Sequence, residues 1–146
     1  MTQHPDQHPD QHPYQYTVLR CVPRVEREEF VNVGVVLYCP GREFLGAAWH
    51  LDEARLRAFA PELDVPAVRA ALQAVDLVCA GEAHTGYAGA VRATAYGVRV
   101  LSDTQSSRFG FLKAPRSTVL QPGPVHGGIT VDPAVELERL VQGLVR

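Results

Sequence analysis

Cysteine is scarce and poorly placed for cross-linking. The chain has three, Cys21, Cys39 and Cys79, an odd number with no C-x-x-C pair, which argues against a disulfide framework or a zinc site and for a reduced, cytoplasmic setting. Charge of one sign is missing too, since 14 Lys and Arg against 16 Asp and Glu leave a net charge of -2. With no basic excess, nucleic acid is not an expected partner, and no acidic run marks a solvating tail. Long apolar runs are also absent: Val33 to Tyr38 falls far short of the roughly 20 residues a membrane span needs. The first residues carry neither the basic stretch nor the apolar stretch of a secretory signal, so neither membrane nor export is expected.

What remains is the composition of an ordinary globular protein, with 146 residues of which 46% are hydrophobic. That size suits one domain with a floppy end to spare. The end is visible as "QHPDQHPDQHP", a period of four whose prolines forbid a helix. Residues 1–13 therefore read as a disordered leader rich in His and Pro, and residues 14–146 as a single domain. His4, His8 and His12 lack the fixed geometry of a metal site, and His50, His84 and His126 are too scattered in sequence to form one.

Residue patterning implies an α+β fold, an antiparallel sheet of about four strands packed against helices. "YQYTVLRCVP" alternates and is closed by Pro23. "FVNVGVVLY" reads as a central strand, with Val31, Val33, Val35 and Leu37 on one face and Phe30, Asn32, Gly34, Val36 and Tyr38 on the other. Pro40 and Gly41 suit a type II turn with Gly supplying the positive φ, after which "FLGAAWH" returns to complete a three-stranded meander. Asp52 can cap a short helix with Leu56 and Phe59 inward, and Asp64 a longer one through Val65, Val68, Leu72, Val75 and Cys79 that stops at Gly81. Residues 82–107 read as a loop with some helix. "STVLQPGPVHGGIT" reads as a late edge strand broken by Pro122, Gly123 and Pro124, and Asp132 with Pro133 starts a final helix carrying Leu137, Leu140, Val141 and Leu144.

Chemistry-bearing residues concentrate in "APRSTVLQPGPVHGG", residues 114–128. As a strand, Ser117 to Gln121 would put Arg116, Thr118 and Leu120 on one face and Ser117, Val119 and Gln121 on the other. A bend at the Pro-Gly-Pro would then fold His126 and the amides of Gly127 and Gly128 back toward Arg116, a cradle for phosphate or carboxylate. The alternative is a polar edge strand with Arg116 paired to an acid such as Glu43. No G-x-x-x-x-G-K or G-x-G-x-x-G motif accompanies the stretch, and no cofactor is implied. In the charged connector "RVEREEFVN", Asn32 stands out. An amide on a buried strand needs either a backbone partner or a ligand, because an unpaired one costs on the order of 1 to 3 kcal/mol. The site candidates are thus Arg116, Ser117, Thr118, Gln121, His126 and Asn32. No catalytic constellation forms by spacing: Cys21 and Cys39 sit beside prolines without a visible base, and Ser117 lacks a nucleophile elbow.

The blocks "EREEFVNVGVVL" and "RSTVLQPGPVH" resemble a bacterial family catalogued as domain of unknown function three-zero-three-seven. The likeness runs from Tyr14 onward and leaves out the leader and residues 84–107. Members are often encoded beside HipA-like kinases, so the resemblance implies an accessory or antitoxin-like, non-catalytic subunit with such a kinase as partner. The second reading is a small enzyme, or a nucleotide- or phosphate-binding module, using the Arg116 to His126 loop on a phosphorylated small molecule.

Overall fold

A computed structural model describes residues 10–82 and 103–146. The described elements are β1 His12–Cys21, β2 Val31–Cys39, β3 Phe44–Trp49, α1 Glu53–Phe59, α2 Val65–Ala80, α3 Gln105–Lys113, β4 Leu120–Thr130 and α4 Pro133–Leu144. The strands form one open antiparallel sheet in the order β3-β2-β1-β4. The fold is therefore α+β, a three-stranded meander extended on its β1 side by the late edge strand β4. Among the described residues no helix is long and apolar enough to cross a membrane.

β1 begins at His12, two residues before the alternation sets in at Tyr14. His12 faces Thr130 and Pro13 faces Ile129, and proline is accommodated at the start of a strand. The two faces of β2 are not those of strict alternation. The register passes from Leu19 opposite Gly34 to Arg20 opposite Asn32, so Val33 is an extra residue in a β-bulge, and the faces change hands there. Val31, Val33 and Val36 enter one core cluster, while Val35, Leu37 and Cys39 enter the other.

Each face of the sheet has its own helical cover. On one side Leu19, Cys21 and Leu45 meet Leu56 of α1, Val68, Leu72 and Val75 of α2, and Phe109 and Leu112 of α3. On the other, Tyr14, Val35 and Leu37 meet Leu137, Leu140 and Val141 of α4. Each fully buried Val, Leu or Phe contributes roughly 1.5–3 kcal/mol, so β2, buried on both faces, is the organising element. Leu144 is 39% exposed, and Val145 closes that end of the core in its place.

Helix boundaries follow their caps. The side chains of Asp52, Asp64 and Asp132 accept from the backbone N–H of Arg55, Ala67 and Ala134, each worth about 1 kcal/mol. Gly81 ends α2 in the left-handed region at φ 75°. The turn after β2 differs from the type II expectation: Pro40–Arg42 is a 3-10 turn, and the positive φ falls on Glu43 at 50°. Gly41 serves close approach, since a Cβ there would lie 2.6 Å from His12 Nδ1. Helix α3 was hidden by Gly110 and a thin apolar stripe; its signal is the reciprocal capping box between Thr104 and Ser107. The rest of the loop reading for 82–107, residues 83–102, lies outside the described residues.

Candidate functional site

The stretch from 114 to 128 does not form the cradle its composition suggests. Residues 114–119 link α3 to β4 without strand structure, so the division of Arg116 and Thr118 from Ser117 and Gln121 by strand faces does not arise. Arg116 turns back on α3: its Nη2 donates to the Phe111 carbonyl and its guanidinium lies 4.5 Å from the centre of the Phe111 ring. No carboxylate among the described residues pairs with it, and burial lowers its pKa. The expected acid, Glu43, is not among its partners; the backbone carbonyl of Glu43 accepts from Gln105 Nε2 at 2.9 Å. Thr118 Oγ1 donates to the Leu120 carbonyl at 2.7 Å, and Gln121 Nε2 donates to the Thr118 carbonyl at 2.8 Å. Thr118 and Gln121 therefore come together as a self-satisfied turn, with Ser117 exposed beside it.

The Pro-Gly-Pro does not fold the chain back. A bulge absorbs it: Thr17 faces Val125 and Leu19 faces Pro122, which leaves Gly123 and Pro124 opposite Val18, and Thr17 Oγ1 donates to the Gly123 carbonyl at 2.8 Å. β4 continues straight on. His126 pairs with Tyr16, their rings 5.3 Å apart, five positions along β1 from the Cys21–Leu120 pair, or about 16 Å at roughly 3.3 Å per residue. Arg116 is thus not joined by His126 or by the amides of Gly127 and Gly128.

The connector and the loop meet instead at a groove. Val22 N–H donates to the Val119 carbonyl at 2.7 Å, which brings the 114–119 loop against the 23–29 connector at one end of the sheet. Facing them is the α1–α2 loop, and the three segments enclose about 810 Å³ lined by Pro23, Phe59, Pro61, Leu63 and Val119, with Arg24, Arg27, Glu29 and Glu62 also at the lining. An apolar lining with a few polar groups and a volume of this order is the form of a recognition site. Phe59 was expected inward by helical spacing, yet it is 39% exposed. Helix α1 is seven residues long; Leu56 reaches the core, and Phe59, at the last turn, looks into the groove.

Local geometry fixes the charged wall. The connector makes a 3-10 turn at Val25–Arg27 and reverses at Glu28, φ 58°. Arg24 Nε donates to Glu26 Oε1 at 2.9 Å, and Arg27 Nε to Glu29 Oε1. The Arg27 bond holds Glu29 below the usual carboxylate value and in turn raises Arg27. A backbone hydrogen bond, then the Arg24 bond, lowers Glu26. These pairs are solvent-exposed and so contribute little to stability.

Asn32 takes the backbone option: its Nδ2 donates to the Leu144 carbonyl at 3.2 Å. The cysteines are buried. Desolvation raises all three thiols, and for Cys79, with the nearby charge of Asp76 adding to it, to about 12. They are core residues without nucleophilic character.

Among the described residues, an open four-stranded antiparallel sheet with helices on both faces and a groove at one end define an α+β domain. The family model described as "Protein of unknown function (DUF3037)" matches residues 16–145, and the chain belongs to that family. The match spans residues 84–107 as well, which the sequence blocks had left outside the likeness. No curated protein and no solved structure matches the chain.

Proposed function

We propose that the chain is a non-catalytic accessory, antitoxin-like subunit that binds a partner protein in the groove between the 23–29 connector and the α1–α2 loop. A HipA-like kinase is the partner the family resemblance implies. The observation that carries the reading is the exposed Phe59 beside Leu63 and Val119 in a groove of about 810 Å³, with Arg24 and Arg27 at its lining. Such a lining suits a partner segment with one apolar anchor, because aromatic and Arg positions dominate protein recognition. Arg116 acts on the site indirectly: it braces the loop that delivers Val119.

The test is calorimetric titration of a HipA-like kinase against wild type, Phe59→Asp and Arg27→Glu. Phe59 is exposed, so its replacement spares the core, and both variants are expected to bind at least about tenfold more weakly. A wild-type chain that does not bind the kinase, or variants that bind it equally well, would overturn the proposal. A rise in melting temperature with a nucleotide or phosphate ester, lost in Arg116→Ala at unchanged basal stability, would favour the phosphate-binding or enzymatic alternative.

A further inference from the structure

The geometry points to self-association of two copies of this chain through the outer edge of β4, in an antiparallel register centred on Gly127. Among the described residues no strand lies beyond β4, so one side of its backbone carries N–H and C=O groups with no strand to pair with. Natural edges are usually guarded by charge, shortness or a cover. β4 runs to eleven residues with no Asp, Glu, Lys or Arg among them. Its guards are Pro122, Pro124 and the bulge beside them, which confine the straight, pairable edge to residues 125–130.

That edge is self-complementary in only one way. Val125, Gly127 and Ile129 face Thr17, Gln15 and Pro13 on β1, and by the two-residue period they project from the same face. Val125 is 40% exposed and Ile129 66%. A two-fold axis perpendicular to the sheet keeps each side chain on its own face, and residues directly opposite in a ladder must share a face. A register centred between two residues breaks that condition. One centred on His126 sets Val125 against Gly127 of the second copy. One centred on Gly128 sets Ile129 against Gly127 and calls on Val131, which lies past the end of β4. Centring on Gly127 sets Val125 against Ile129 of the second copy, twice over by symmetry, forming apolar cross-strand pairs. The two sheets then become one.

The groove is untouched by this pairing. It lies past the Cys21–Leu120 end of the ladder, whereas Gly127 sits opposite Gln15. A dimer so formed offers two grooves, and the loss of either activity leaves the other measurable.

Sedimentation equilibrium of the full chain over a dilution series is the first test. Wild type is expected to approach twice the 16.0 kDa chain mass as concentration rises, and Ile129→Lys to weaken self-association by about tenfold or more. The register is tested by disulfide capture with oxidised glutathione. Opposed residues in an antiparallel pair have Cα atoms about 4.5–5.5 Å apart, within disulfide reach, and a Cβ at Gly127 meets only the Tyr14 carbonyl oxygen, at 3.5 Å. Gly127→Cys alone should therefore link to its copy, Val125→Cys alone should not, and Val125→Cys with Ile129→Cys should. The native thiols, all buried, stay silent. A chain that remains monomeric throughout, a dimer indifferent to Ile129→Lys, or capture by Val125→Cys alone in preference to Gly127→Cys would overturn the inference.

Discussion

The side-chain amide of Asn32 donates to the Leu144 carbonyl at 3.2 Å, tying the bulge of β2 to the last turn of α4. The final carbonyls of a helix have no partners within it, and the Asn32 amide supplies one. Asn32→Ala is expected to cost about 1 kcal/mol. Asn32→Asp should cost more, because it removes the donor and sets a carboxylate against the negative end of the helix. Urea midpoints at unchanged slope measure both; an Asp variant as stable as wild type would contradict the arrangement.

Gly128 owes its identity to Tyr14. A Cβ at position 128 would lie 2.5 Å from Tyr14 Oη and 2.6 Å from Cζ, and the ring cannot swing aside cheaply because Tyr14 is 6% exposed and bonded to Glu136. Gly128→Ala should destabilise by roughly 1–3 kcal/mol, the range for overpacking a filled site. Gly127→Ala, whose Cβ meets ordinary contact distance, should be nearly neutral. Thermal melts of the two variants side by side check the contrast.

What the sequence disclosed and what it concealed divide along a physical line. Caps are local, so Asp52, Asp64, Asp132 and Gly81 announced the helix ends. Alternation and turn signals are also local, and they located the three-stranded meander, whereas the late edge strand, read from Ser117 and broken at Pro-Gly-Pro, begins at Leu120 and continues through it. The bulges are different, because an extra residue at Val33 is defined only against β1 and leaves no trace in β2 itself. The same holds for Arg116 and His126, which are close in sequence but separated once β4 runs straight, its Pro-Gly-Pro absorbed by a bulge against β1. Phe59 satisfied a helical stripe whose last member had no core to enter. The candidate residues are a polar concentration in sequence that the structure does not gather into one cluster, while the groove, assembled from three segments far apart in sequence, was not legible.

Cys21, Cys39 and Cys79 are buried, with thiols raised by desolvation. A thiol reagent needs the thiolate and access to it. The native chain is therefore expected to be unreactive to a disulfide-exchange reagent at neutral pH, and all three thiols should appear together with global unfolding. Fast labelling of one cysteine in the native state would show that its surroundings open locally.

The Tyr14–Glu136–Arg139 cluster should set both pH limits of stability contributed by α4. Tyr14 Oη donates to Glu136 Oε2, and Arg139 grips the same carboxylate, Nε to Oε1 at 2.7 Å and Nη2 to Oε2 at 2.6 Å. Burial, followed by the bond to Glu136, pushes Tyr14 from 10.0 to about 12. A group that holds its proton more tightly when folded stabilises fully below its unfolded value, and that contribution is lost as pH climbs from about 10 to about 12. Glu136 is shifted the other way, held below 4.5 chiefly by Arg139. Its contribution is present above the usual carboxylate value and lost as pH falls through the lower folded one. Melting temperature against pH should thus show a plateau with a fall on each side. Tyr14→Phe should flatten the alkaline fall and keep the acid one, since Arg139 still holds Glu136. Arg139→Gln should shrink the acid fall. If Tyr14→Phe leaves the alkaline side unchanged, another group governs that limit and the hydroxyl's part in docking α4 is refuted.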